Sequence, residues 1–239
     1  MKVLDLSLMA HRLEQLNVTD VYAEHLGTRL EKLIVGRLDA NNQDLVTISG
    51  LPSCKYLKEL NVEGYKAMTS LDLRGLSYIE VVKATNSSIA AIVFEKGSPL
   101  NTLELPESMI TLTLDQLPYL HAEGLTIGDS IQDLTVVNCE NISNDFTFVY
   151  NWYKNKTVAD SECSLTMDYV NWDNLNPSQL LELLQLKANG GKLSLKGKIN
   201  LASITLDLLN SMNDVLGRNI FDEGGELYIT APDFISFPT

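Results

Sequence analysis

The chain is poor in several residue types that mark common protein classes. It has 239 residues but only 3 cysteines and 3 histidines, and its aromatic content is 7%. The cysteines, Cys54, Cys139 and Cys163, are an odd number at wide spacing, which fits neither a disulfide framework nor a zinc site. No two histidines have the His-x-x-His or His-Glu-x-x-His spacing of a metal site. We therefore expect no metal and no cofactor.

Positive charge is also scarce. Lys and Arg number 18 against 31 Asp and Glu, which gives a formal net charge of −13. Such a field repels a phosphate backbone, so nucleic acid is not an expected partner. No apolar run approaches the roughly 18 residues of a membrane span, so no membrane insertion is expected. Charged residues such as Asp5 and Arg12 interrupt any signal-peptide core, so we expect no export by an N-terminal signal.

What the chain does contain is a recurring apolar frame, Leu-x-x-Leu-x-Leu, in which only the hydrophobic character is kept. A weaker copy is Ile89-Ile92-Phe94. Repetition of one short frame indicates a stacked-repeat architecture, and such architectures are usually binding surfaces. The good copies are Leu13-Leu16-Val18, Leu30-Leu33-Val35, Leu57-Leu60-Val62, Met68-Leu71-Leu73, Leu100-Leu103-Leu105, Met109-Leu112-Leu114 and Ile131-Leu134-Val136.

The spacing of the frames predicts how the strands stack. From Leu60 to Leu134 the central apolar residues follow one another at steps of 9 to 13 residues, which is enough for a strand and a turn. Two steps make about 21 residues, typical of one leucine-rich coil. We therefore predict two short strands per coil on two walls. The predicted first wall stacks Leu60, Val82, Leu103 and Leu125, and the second stacks Leu71, Ile92, Leu112 and Leu134.

The Leu-x-Leu alternation points the middle residue of each strand outward. Turn signals are expected between strands at Gly64, Gly75 and Gly97. A strand from Val3 to Leu6 is also predicted, without a polar cap before it, so we expect either another chain to cover this end or the chain to be part of a longer one. The predicted outward residues are Asn61, Lys83, Glu104 and Thr126 on the first wall, and Asp72, Val93, Thr113 and Thr135 on the second.

The pattern changes after Ile142. Strand candidates then lie about 30 residues apart, a length that holds a strand, a helix and two loops. The fold class predicted is α/β, mostly β: a leucine-rich-repeat-like parallel β-solenoid that changes to strand–helix coils. Residues 1–142 are the predicted strand–strand solenoid, and 143–239 its strand–helix continuation and C-terminal cap. The predicted helices are 144–156, 176–190 and 204–216, and the predicted strands are Ser164–Met167, Lys192–Leu195 and Glu226–Ile229.

The frame resembles the leucine-rich repeat family. The best match, Ile131-Gln-Asp-Leu134-Thr-Val136-Val-Asn-Cys139, reproduces the family pattern Leu-x-x-Leu-x-Leu-x-x-Asn/Cys. The resemblance implies that Cys139 is a buried core residue. Elsewhere this last position is Val21, Leu38, Tyr65, Leu76 or Leu117, so the asparagine ladder of a regular horseshoe is missing.

A narrower resemblance covers nearly the whole chain. Ala84–Ile89 followed by Leu105-Pro106, and Trp172-Asp173 followed by Gly197-Lys198-Ile199, look like leucine-rich regions in structural proteins of tailed bacteriophages of gut bacteria. This resemblance implies a non-enzymatic virion component in the tail or on the capsid. Its expected partners are other virion proteins or further copies of itself, with a host-surface protein or glycan as an additional partner.

An aromatic cluster near the change of repeat type is the best candidate for an interaction surface. Trp152, Tyr153, Tyr169 and Trp172 lie close together in sequence and would suit a sugar or a protein partner. The alternative, which we favour, is that these rings fill the core of the larger strand–helix coils.

Two other functional classes stay open. The generic repeat suits a bacterial surface adhesin, or a cytoplasmic scaffold, as well as a virion protein. A carbohydrate-active enzyme on a β-solenoid needs two or three carboxylates stacked on one outer wall. The predicted first wall mixes Asn61, Lys83 and Glu104 instead, and neither Cys54 nor Cys163 has a histidine nearby in sequence, so we predict no catalytic residues.

Overall fold

A computed structural model describes residues 2–8, 16–18, 30–36, 45–143, 148, 151–152, 164–171, 192–198 and 227–230. These residues form mostly short β-strands in parallel sheets, with few helices, as the sequence predicts. The chain divides into two compact units, residues 1–131 and residues 132–239.

The first unit contains strands β1 to β11, which are two to five residues long. One-turn 3₁₀ helices lie at Leu51–Ser53 and Ala122–Gly124. The strands are β1 Val3–Asp5, β2 Leu16–Asn17, β3 Lys32–Ile34, β4 Ile48–Ser49, β5 Glu59–Asn61, β6 Ser70–Asp72, β7 Val81–Lys83, β8 Ala91–Val93, β9 Thr102–Glu104, β10 Thr111–Asp115 and β11 Leu125–Thr126.

Six of these strands form one parallel sheet, the first sheet, in the order β1-β3-β5-β7-β9-β11. Leu60 pairs with Val82, Val82 with Leu103, and Leu103 with Leu125, so neighbours in the sheet are 21 or 22 residues apart. This is the predicted first wall, and its stacking is confirmed. Leu33 extends the row on the other side of Leu60.

The intervening strands β6, β8 and β10 form a second set, here called the second strands. Leu71 pairs with Ile92 in parallel register, as predicted, and β10 contacts β8. Further towards the N-terminus, Leu16 pairs with Ile48 in the same way.

The apolar frame forms the core. The middle residues of β3, β5, β7 and β9 are completely buried, while the residues on either side of them are half-exposed. Each fully buried aliphatic side chain contributes about 1.5–3 kcal/mol relative to exposure. Five complete copies of the frame are buried: Leu57-Leu60-Val62, Met68-Leu71-Leu73, Leu100-Leu103-Leu105, Met109-Leu112-Leu114 and Ile131-Leu134-Val136.

The turns repeat as regularly as the strands. After first-sheet strands, Gly64 and Asn86 both have left-handed backbone conformations, with φ of 81° and 54°. After the second strands, Gly75, Gly97 and Gln116 do the same. Gly97 N–H donates to the Gln116 carbonyl at 2.7 Å, so successive turns are bonded together. The predicted turns at Gly64, Gly75 and Gly97 are confirmed.

The second unit holds β12 Asp133–Val137, β13 Ser164–Asn171, β14 Lys192–Lys198 and β15 Leu227–Thr230, with one helical turn at Glu140–Ser143. The strands run parallel in the order β12-β13-β14-β15. The row of paired residues is Leu134, Leu165, Leu193 and Leu227.

The three strands predicted after residue 142 are therefore confirmed. Residues 148 and 151–152 are helical, and the rest of the three predicted helices lies outside the described residues. The predicted boundary after residue 142, between strand–strand and strand–helix coils, depends on the segments that connect these strands. It therefore stays a prediction.

Candidate functional site

The aromatic cluster predicted from the sequence is described only in part. Trp152 is 7% exposed, which is the burial of a core residue. Tyr169 lies on β13, and Tyr153 and Trp172 lie outside the described residues. An interaction surface made by these four rings stays a prediction.

The outer face of the first sheet carries ion pairs between neighbouring strands. Lys32 of β3 lies 2.7 Å from Glu59 of β5, and Lys83 of β7 lies 2.9 Å from Glu104 of β9. Just before the strands, Lys2 pairs with Glu31 at 3.0 Å. A parallel register places equivalent residues side by side, so opposite charges at the same position attract and like charges repel. We call this surface the charged face.

A buried carboxylate connects the ends of β5 and β7. Glu63 is 8% exposed, and both of its oxygens accept hydrogen bonds. Asn61 Nδ2 donates to Oε2 at 2.6 Å, and Thr85 Oγ1 donates to Oε1 at 2.7 Å. These hydrogen bonds compensate for the burial of the charge. Glu63 is therefore a structural link between adjacent strands.

Lys83 lies within a group of acidic side chains. Its hydrogen bond with Glu104 raises the pKa of Lys83 above its ordinary value, and the charges of Glu104, Glu63 and Glu59 raise it further. The ammonium group therefore stays charged and holds the neighbouring strands together.

The outer face of the second strands is different. Most of its residues are small and neutral: in the paired register Ser70 stands beside Ala91, whereas Val93 stands beside Asp72, the last residue of β6. We call this surface the neutral face. Val93 is 48% exposed. Its exposed members are Ser70, Ala91, Val93, Thr111 and Thr113.

Charge appears at the end of this face. Arg74 donates to both carboxylate oxygens of Asp72, from Nε to Oδ1 at 2.9 Å and from Nη2 to Oδ2 at 2.6 Å. These hydrogen bonds hold the pKa of Asp72 below its ordinary value. Lys96, three residues after β8, forms a second ion pair with Asp115 of β10. Both pairs neutralise the charge at the border of the neutral face.

A pair of tyrosine rings, one half-buried and one exposed, lies just before β5 and β7. The centroids of Tyr56 and Tyr78 are 5.8 Å apart and their planes differ by 26°, which is a stacked arrangement. Tyr78 is 51% exposed. Lys55 Nζ lies 5.3 Å from the centroid of Tyr56. Two residues after each tyrosine, and immediately before the strands, Lys58 pairs with Glu80 at 3.1 Å.

The tyrosine pair and the ion pairs were not anticipated from the sequence. A signal for the tyrosines exists, because each one immediately precedes an apolar core residue, Leu57 or Ile79, at the same place in successive repeats. The same comparison of equivalent positions finds Lys58 opposite Glu80, and Lys83 opposite Glu104.

The cysteines of the described residues are core groups. Cys54 and Cys139 have buried side chains, and Cys54 Sγ lies 3.0 Å from the Val18 carbonyl oxygen. The prediction that Cys139 is buried is confirmed. Within the described ranges, no group of three or more His, Cys, Asp or Glu side chains is placed to hold a metal ion.

Comparisons with known proteins give no relative. No family model matches the chain, and neither a curated protein nor a solved structure matches it. In the part of the chain that the structure describes, no helix has both the length and the apolar character needed to cross a membrane.

Proposed function

We propose that this chain is a non-enzymatic structural and protein-interaction module of a phage virion, placed in the tail or on the capsid. Its fold is a leucine-rich-repeat-like parallel β-solenoid with two short strands in each coil of about 21 residues. Beyond residue 142 the coils become strand–helix coils. Its partners are other virion proteins or further copies of the chain. In host attachment, its ligand is a host-surface protein or glycan.

The observation that favours a binding role over catalysis is that glutamates on the charged face are paired with lysines. Glu59 and Glu104 each lie within hydrogen-bond reach of a lysine on the neighbouring strand. Glycoside hydrolysis needs two carboxylates facing one substrate, about 5 to 10 Å apart, in defined protonation states. Carboxylates that are paired with lysines instead connect neighbouring strands.

The six-stranded first sheet supports an interaction role. Parallel strands with a constant register expose long rows of side chains, and stacked repeats commonly use such rows to bind partners. The residues that support the virion assignment are those of the phage-like segments, such as Ala84–Ile89 and Trp172-Asp173.

Purified particles test the virion assignment. Particles of the phage that encodes the chain are separated on a density gradient and analysed by quantitative mass spectrometry. We expect the chain to co-migrate with the major capsid protein at a fixed copy number. Immunogold labelling should then locate it on the tail or the capsid. A replication protein of the same phage serves as the control and should be absent from the particles.

Absence of the chain from particles contradicts the proposal. Recovery of the chain from the envelope or cytoplasm of phage-free bacteria would favour the bacterial adhesin or scaffold. Release of reducing ends from host polysaccharide by the purified chain would favour an enzyme.

A further inference from the structure

The stacked tyrosines Tyr56 and Tyr78 lie at the surface and are not part of the buried core. The apolar residues that follow them, Leu57 and Ile79, already fill the interior. An aromatic side chain normally gains most by burial, so the exposed ring of Tyr78, stacked on the half-buried Tyr56, keeps apolar surface available to a partner.

The surroundings of the pair are polar and carry both signs of charge. Lys58 and Glu80 border it, with side-chain exposures of 49% and 39%, so both can reach a bound molecule. Lys55 lies beside the Tyr56 ring. The site therefore combines apolar ring faces with nearby hydrogen-bond donors and acceptors.

These properties discriminate between ligand classes. A nucleic acid strand could stack its bases here, but its phosphates would be repelled by a chain of net charge −13. A cationic ligand would suit the rings, but Lys55 and Lys58 stand next to them and disfavour a further positive charge. A purely apolar ligand would leave the charged border without hydrogen bonds.

We propose that Tyr56 and Tyr78 form a subsite for a sugar ring of a neutral glycan. The C–H face of a pyranose packs on the exposed tyrosine ring, and its hydroxyl groups exchange hydrogen bonds with Lys58 and Glu80. This inference rests on the proposed role as a binding module, and names the ligand class and the place where it binds.

Binding is tested with the whole chain on an array of neutral oligosaccharides that includes hexose, xylose and N-acetylhexosamine polymers. The best-bound member is then titrated by calorimetry, and saturation-transfer NMR identifies the protons that touch the protein. We expect saturation of ring C–H protons on one face of one sugar. Tyr78→Ala should weaken binding about tenfold, since it removes the exposed ring.

Two variants separate loss of the site from loss of the fold. Tyr78→Phe keeps the ring face and should bind within about threefold of the parent chain. Tyr119→Ala removes another exposed tyrosine, 58% exposed and outside the pair, and should leave binding unchanged. Thermal unfolding of all variants should agree with the parent chain within a few degrees.

If no neutral oligosaccharide on the array binds, the inference is overturned. Equal binding by Tyr78→Ala and the parent chain also overturns it. Preferential binding of charged glycans overturns it as well. The presence of the chain in particles is measured separately. A chain that is found in virions but binds no neutral glycan refutes the sugar site and leaves the virion role standing. A chain that binds the glycan but is absent from virions gives the reverse result.

Discussion

The first sheet and the second strands share one kind of interior and differ in their exteriors. Leu103 and Leu112 are equally buried, one in each set. Outside, the first sheet carries Lys–Glu pairs between neighbouring strands, whereas the second strands carry mainly Ser, Ala, Val and Thr, with aspartates at the ends of β6 and β10. The apolar frame therefore determines the core, and the residues between its apolar positions determine the surface. A prediction of function must be sought in those intervening residues.

The two exteriors solve one problem in different ways. Parallel pairing brings equivalent side chains of neighbouring strands to about 4.8 Å of each other. On the charged face, Lys83 stands beside Glu104, so the close approach is favourable. On the neutral face, Ser70 stands beside Ala91 and Asp72 stands beside Val93, so no two like charges meet.

The largest effect should come from the interior that the two sets share. Leu103→Ala and Leu112→Ala should each lower the free energy of unfolding by about 2–5 kcal/mol, because each leaves a cavity in a buried row. Val93→Ala, at a half-exposed outward position, should cost less than about 0.5 kcal/mol. Urea denaturation measures all three. A much smaller cost for Leu112→Ala would show that the two interiors are not equivalent.

The next largest effect should come from two turn glycines, Gly124 and Gly97, whose replacement by alanine should cost different amounts of stability. A Cβ at Gly124, just before β11, would lie 1.8 Å from the Asn101 carbonyl oxygen. Gly124→Ala should therefore lower the free energy of unfolding by about 2–3 kcal/mol. At Gly97, after β8, a Cβ meets nothing within 4 Å, but φ is 73°. Gly97→Ala should cost about 1 kcal/mol from backbone strain alone. Equal costs, measured by thermal unfolding, would contradict this difference.

Two buried serines should respond differently to replacement by alanine. Ser87 Oγ donates to the Ala84 carbonyl at 2.7 Å, so Ser87→Ala should lower the free energy of unfolding by about 1 kcal/mol. Ser98 is 1% exposed, and its Oγ has no hydrogen-bond partner among the described residues. Ser98→Ala should leave the free energy of unfolding unchanged or raise it by up to about 1 kcal/mol. A clear loss on Ser98→Ala would mean that this hydroxyl is bonded in solution.

The smallest effect concerns the charged face itself. A double-mutant cycle with Lys83→Met and Glu104→Gln should give a coupling of about 0.5 kcal/mol that weakens as salt is added. The folded-state pKa of Lys83 is raised above 10.5, first by its hydrogen bond with Glu104. Its stabilisation is therefore complete below pH 10.5 and is lost as the pH rises through the higher folded-state value. Coupling that grows with salt or with pH in this range would contradict the assignment.

Most of the strand pairing could be predicted from the sequence. The positions of Leu60, Val82, Leu103 and Leu125 predict the register of the first sheet, because an apolar residue at every second strand position must face inward. Glycines predicted three of the turns. The left-handed conformations of Asn86 and Gln116 were not predicted, because neither residue requires that conformation.

The candidate sites were harder to predict. The Tyr56–Tyr78 pair and the Lys83–Glu104 pair each depend on contacts between residues about 20 positions apart. Within one repeat these residues look like ordinary surface positions, and only the register brings them together. The aromatic cluster around Trp152 was chosen from local composition, and the one of its side chains whose burial is described is buried.

The constant register also limits how such a chain can change its length. Val81, Val82 and Lys83 pair with Glu59, Leu60 and Asn61 exactly as Thr102, Leu103 and Glu104 pair with Val81, Val82 and Lys83. Deleting residues 81–101 would bring Thr102 next to Glu80 in the chain and place Leu103 against Leu60. The apolar row would close without a shift, and the ion pair of Lys58 with Glu80 would keep both of its members. Gain or loss of whole repeats by recombination is thus compatible with this architecture. The connections also differ in length, since Leu33 pairs with Leu60 over 27 residues and Val82 with Leu103 over 21. A one-residue insertion within a strand would instead turn the apolar residues that follow it in that strand to the opposite face.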